Sequence, residues 1–161
     1  MKMLLVMAAL LGFAGSARAD YEGRVVGNWL TSATEDRFGD GGAYTAVTID
    51  GRTGLVVRCL QKKLSLAVLE MSNDPKPLAE KDAFTLKFRV DKQPVTESVG
   101  MAISPRLIQV ITEKTLVRAI RDGRETAVRL ESTSGVSSTH VFKTNGATKA
   151  FADLAKECAL D

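Results

Sequence analysis

The chain has little of what most enzymes and metal proteins rely on. Its 161 residues include one His, two Cys and one Trp. One imidazole and two thiols exclude most multi-ligand zinc sites. No apolar run reaches the roughly 20 residues that a membrane-spanning helix needs. Charge of one sign is also scarce. The formal net charge is +3, and two of the basic residues, Lys2 and Arg18, fall in the first 19 residues. Without them 20 basic residues face 19 acidic ones, a net of +1. That balance excludes the basic footprint of a nucleic-acid binder. Hydrophobic content of 45% with 25% charged residues excludes wholesale disorder.

What is there begins with a leader. Residues 1–19 read MKMLLVMAALLGFAGSARA. Lys2 forms a short positive region, Met3 to Phe13 an apolar run, and Ala17-Arg18-Ala19 a small-x-small cleavage pattern. The apolar run is too short to span a bilayer. Cleavage before Asp20 is expected, with export to a bacterial periplasm. Residues 20–161 then form a single exported domain of ordinary size.

An oxidising compartment favours pairing the two cysteines, Cys59 and Cys158. The alternative is two buried free thiols. A redox-active pair would be expected as CxxC, which is absent. A loop of about 100 residues closed by that bond is worth at most about 4–5 kcal/mol of chain entropy.

Residues 20–42 lack sustained periodicity and read as an N-terminal arm anchored by Trp29. Strands fill 43–143. Residues 43–49, 55–60 and 63–69 are short and β-branched or apolar, with turn signals at Asp50-Gly51 and Gln61-Lys62. Residues 71–82 carry Pro75 and Pro77 and read as a loop. Phe84, Leu86, Phe88 and Val90 alternate with Thr85, Lys87 and Arg89, which puts the first set on a core face. Residues 98–104 and 106–112 follow. Residues 114–121 and 124–131 flank Asp122-Gly123 and read as a hairpin. Residues 139–142 form a last strand. Ala147, Ala150, Phe151, Leu154, Ala155 and Cys158 then repeat at helical spacing. That predicts a helix over 146–159, with Thr144 or Asn145 able to cap it. The expected fold is mainly β: an antiparallel sandwich or barrel of about eight short strands with one C-terminal helix.

Chemistry is thin. His140 lies among hydroxyls in Ser-Ser-Thr-His-Val-Phe, and closeness in sequence does not make a triad. It reads as a surface or edge-strand histidine. Asp36, Asp40 and Asp50 are carboxylates near loops, without a motif. The FGDGG run at 38–42 lacks the Walker Lys-Ser/Thr and the ligand spacing of a calcium loop. No catalytic residue, metal ligand or cofactor is expected. Arg58, Lys87 and Arg89 sit on outer strand faces. If their strands adjoin, they form a positive patch facing anionic surfaces such as cell-wall polymers or lipid head groups. Otherwise they are part of a solvated face.

Taken in order, Trp29 with Ser32 and Asp36, LVVRC at 55–59, FRVD at 88–91 with Pro94, Thr139 with Phe142, and the terminal Gly146, Ala150, Leu154 and Cys158 form a scattered pattern. It resembles that of the VasI/TagO-type proteins associated with bacterial type VI secretion. The resemblance implies a small, non-enzymatic envelope accessory protein. It implies a structural role for Cys59 and Cys158, and scaffold pairing among Arg58, Arg89 and Asp91.

The expected function is binding of another envelope component, protein or cell wall, without catalysis, nucleic acid or a membrane span. The alternatives are a small-ligand-binding or inhibitor-type β-domain and, behind it, a cell-envelope hydrolase.

Overall fold

A computed structural model describes residues 22–35, 39, 41–71, 78–79, 81–135 and 137–161. The leader at 1–19 with its cleavage site, Asp36, Asp40, Pro75 and Pro77 lie outside the described residues.

Strand-forming stretches dominate the rest. They are β1 (Glu22–Val26), β2 (Trp29–Thr34), β3 (Ala43–Asp50), β4 (Thr53–Leu60) and β5 (Lys63–Glu70). Next come β6 (Ala83–Val90), β7 (Thr96–Ser104), β8 (Leu107–Val110), β9 (Glu125–Ser132) and β10 (Ser137–Lys143). All ten join one antiparallel sheet, in the order β1-β2-β3-β4-β5-β8-β7-β6-β9-β10. The β4–β5 turn at Gln61-Lys62 has φ of 49° and 64°, the left-handed pair that tight two-residue hairpins use.

The sheet curls until β10 meets β3, but no backbone ladder joins them. Side chains bridge the gap instead. Thr48 Oγ1 donates to the carbonyl of Lys143 at 3.0 Å. Asp50 Oδ2 accepts the N–H of Val141 at 3.0 Å. The architecture is therefore an unclosed curl, between the expected sandwich and barrel.

Alternating residues line its concave wall. Phe84, Leu86, Phe88 and Val90 are buried as their period predicts, and so are Thr126, Val128 and Leu130. Leu55, Val57 and Cys59 share this face and are fully buried. Among the described residues three helices cover the wall: α1 (Lys114–Asp122), α2 (Ala147–Ala150) and α3 (Ala152–Cys158). Trp29 is fully buried and packs edge-on against Phe151, with ring centroids 4.8 Å apart. Its indole N–H donates to the carbonyl of Thr144 at 3.1 Å. Cys158 on α3 is bonded to Cys59 on β4, with Cα atoms 5.9 Å apart.

Four expectations change. The arm at 20–42 contains the hairpin β1–β2, which extends the sheet beyond β3. Its turn is Gly27-Asn28, and a Cβ on Gly27 would stand 2.5 Å from the carbonyl oxygen of Asn145. Residues 114–121 are helix α1, not the first arm of a hairpin. The chain must pass from β8 to β9, and β7 and β6 lie between them. A two-residue turn cannot make that crossing. Leu116, Val117 and Ile120 face the core at helical spacing, and Asp122-Gly123 ends the helix. The C-terminal helix is broken at Phe151 into α2 and α3, and Gly146 occupies its cap position with no side-chain cap. Among the described residues the strand count is ten rather than about eight.

The last residues are strapped down by α1. Lys114 Nζ donates to the carbonyl of Ala159 at 3.0 Å, and Arg118 Nε and Arg121 Nη1 donate to that of Leu160 at 3.2 and 2.7 Å. Removing the disulfide by a Cys59→Ser, Cys158→Ser double substitution should cost about 2–5 kcal/mol in denaturant unfolding. With the helix clamp intact, the double variant should keep native far-ultraviolet dichroism. An unchanged unfolding midpoint would show that the bond contributes nothing.

Candidate functional site

The curl divides the polar chemistry into three regions: the seam, the mouth beside the disulfide, and the outer face.

At the seam, β10 brings His140 against the β3–β4 hairpin. Its side chain is 21% exposed, and Nδ1 lies 3.7 Å from Asp50 Oδ2. Nε2 is 3.3 Å from Ser138 Oγ and 3.4 Å from Thr53 Oγ1. Ser138 precedes His140 by two residues, so both project from the same side of the strand. Thr53 is buried and donates to Glu70 Oε1 at 3.3 Å. The sequence placed His140 on an edge strand but gave no sign of Thr53 and Glu70, which arrive through sheet curvature. Nε2 is shared between two hydroxyls. Asp50 Oδ2 is committed to Val141 N–H and stands beyond hydrogen-bond reach of Nδ1. These contacts tie β10 to β3 and β4.

At the mouth, Tyr44 lies on β3 opposite Cys59. Its phenol is held above the ordinary tyrosine range, first by burial and then by the negative charges of Glu157, Glu35 and Asp153. Glu157 reaches Gly41, where a Cβ would meet its Oε1 at 2.6 Å and where φ is +99°. Among the described residues no group of three or more His, Cys, Asp or Glu is placed to hold a metal.

The outer face carries the residues singled out as a basic patch. Arg58 is on β4, and Lys87 and Arg89 are on β6, with β5, β8 and β7 between. Their strands do not adjoin. Lys87 Nζ pairs with Glu131 at 3.1 Å, and Arg89 is exposed opposite Ala127. Arg58 is half-buried opposite Thr45 and Ser65. Nor do Arg58, Arg89 and Asp91 pair with one another. Asp91 instead accepts the backbone N–H groups of Arg124 and Glu125, fixing the start of β9.

Two residues along β4 from Arg58 the outer face turns apolar. Val25, Leu30, Val47 and Val56 stand side by side in one row across β1 to β4. Val25 is 78% exposed, Leu30 50% and Ile49 51%. An open depression of about 370 Å³ lies among Val25, Leu30, Val47, Ile49 and Lys143. This region went unseen in the sequence because half of it belongs to the stretch read as an arm.

No family model matches the chain, and no curated protein matches it. Among solved structures it is similar to invasion associated protein B from Bartonella henselae, at 15% identity and a TM-score of 0.54. The match covers 86% of this chain and 97% of that one. At that identity the likeness shows the fold alone.

Tyr44 gives a test of the mouth. A raised folded value favours the neutral phenol. Its contribution to stability is therefore complete below the ordinary tyrosine pKa of about 10 and is lost as pH rises through the folded value. Glu157→Gln should move the phenolate absorbance titration of Tyr44 downward, with Tyr44→Phe identifying its signal. An unmoved curve would remove Glu157 as a cause.

Proposed function

We propose that this is an exported, disulfide-stapled β-domain that binds another component of the bacterial envelope and catalyses nothing. The observation that carries the reading is the exposure of Val25, Leu30 and Ile49 on the adjoining strands β1, β2 and β3. Large side chains held in water across neighbouring strands mark interaction surfaces. The Cys59–Cys158 bond supports an oxidising compartment, as does the leader pattern. The polar cluster at His140 is engaged in contacts across the seam. The VasI/TagO-type resemblance makes type VI secretion the setting in which to look for the partner. The neighbour named for invasion supports the fold and brings no partner with it.

A second reading draws on the depression beside Val25 and Lys143. At about 370 Å³ it falls within the range of small-ligand sites. It is open rather than enclosed, which suits a partner's apolar side chain better than a buried small molecule.

Photo-crosslinking in living cells tests the proposal. A photoreactive residue at Leu30 or Ile49 should give discrete envelope adducts, and one at Thr139 on β10 should give none. Equal or absent adducts at all three positions would contradict a binding role for this face.

A further inference from the structure

The two halves of the outer face differ in charge chemistry. On β6, β9 and β10 the outward charges are of both signs, and acidic side chains stand among the basic ones Lys87, Arg89 and Arg129. Lys87 pairs with Glu131, and Lys143 with Glu125. Across β1 to β5, no Asp or Glu occupies an outward position among the described residues. The outward charges there are Arg58 and Lys63, with Lys62 in the turn between their strands. None of these three has an ion-pair partner among the described residues. Arg58 Nε is buried and has no acceptor. A guanidinium N–H shielded from water without a partner is an unmet donor, and its planar fork matches phosphate and carboxylate.

We propose that the β1–β5 face docks on the surface of a bilayer containing anionic phospholipid. Arg58, Lys62 and Lys63 take the phosphates, and Leu30 and Ile49 enter the head-group boundary. The inference rests on the envelope-binding reading and names the component. Charge complementarity selects the occupant: a face whose described outward strand positions carry aliphatic side chains and cations but no carboxylate fits an extended anionic amphiphilic surface. The mixed charges on β6, β9 and β10 stay in water, so the domain lies on the bilayer rather than across it. Cationic contacts steer it, and burial of the aliphatic row holds it.

The test uses the purified exported protein and sedimentation with vesicles. One set contains phosphatidylglycerol mixed with phosphatidylcholine, the other phosphatidylcholine alone. Binding is expected only to the first set. It should weaken strongly at about 1 M salt, where the Debye length is about 3 Å. Arg58→Gln and Lys63→Gln should each weaken it about fivefold, and about 25-fold together. Leu30→Ser and Ile49→Ser should each weaken it about threefold to tenfold. Arg129→Gln, on the opposite half of the outer face, should leave it unchanged. Circular dichroism and the thiol count establish that each variant is folded.

No sedimentation with phosphatidylglycerol would overturn the proposal, as would equal losses for Arg129→Gln and Arg58→Gln. Displacement from the vesicles by soluble polyglutamate at equal charge concentration would overturn it in favour of an acidic polypeptide. These outcomes do not depend on whether the chain is exported in cells. Crosslinking at Leu30 without vesicle binding would leave the envelope-binding reading standing and remove the lipid.

Discussion

A curled sheet that does not close would, by itself, leave its concave apolar wall open to water at the seam and at the ends. Much of the molecule answers that constraint. The C-terminal segment carries Phe151, Leu154 and Leu160 into the wall, and all three are buried. Two long-range ties hold the segment: the Cys59–Cys158 bond and the hydrogen bond from Trp29 to Thr144. The first tie joins residues 99 positions apart, the second 115. Helix α1 adds a third restraint by donating three basic side chains to the carbonyls of Ala159 and Leu160. The fold is thus sealed by its last residues.

The same geometry explains why the polar residues divide as they do. The seam lacks a backbone ladder, so Thr48, Asp50 and His140 supply side-chain contacts in its place. That use accounts for the one histidine. The hairpin β1–β2 extends past the seam and adds Val25 and Leu30 to the outer row, widening the apolar face beyond what β3 and β4 present. The exposed apolar side chains and the contacts that stabilise the fold therefore occupy opposite sides of the same sheet.

Much of this was legible where period two was undisturbed. Strand β6 and the inward direction of Cys59 follow directly from alternation. The staple followed from two cysteines and an N-terminal pattern that reads as an export leader. Helix α1 was misread because Asp122-Gly123 was given more weight than the Leu116, Val117, Ile120 spacing, which is helical. The β1–β2 hairpin had a signal too, in Gly27-Asn28 between short β-forming runs. The strand order had none. Whether Arg58 adjoins Lys87 depends on β8 and β7 entering between β5 and β6, a choice set by tertiary packing. The Asp50–His140–Thr53 cluster was invisible for the same reason, since its members come from three strands.

The most direct test of the exported, stapled domain is the intact mass of protein recovered from the periplasm, alkylated with and without prior reduction. A chain starting at Asp20, two hydrogens light, and alkylated only after reduction is the expected result. A full-length chain with two freely alkylated thiols would contradict it. Both the oxidising compartment and the tie between α3 and β4 would then be lost.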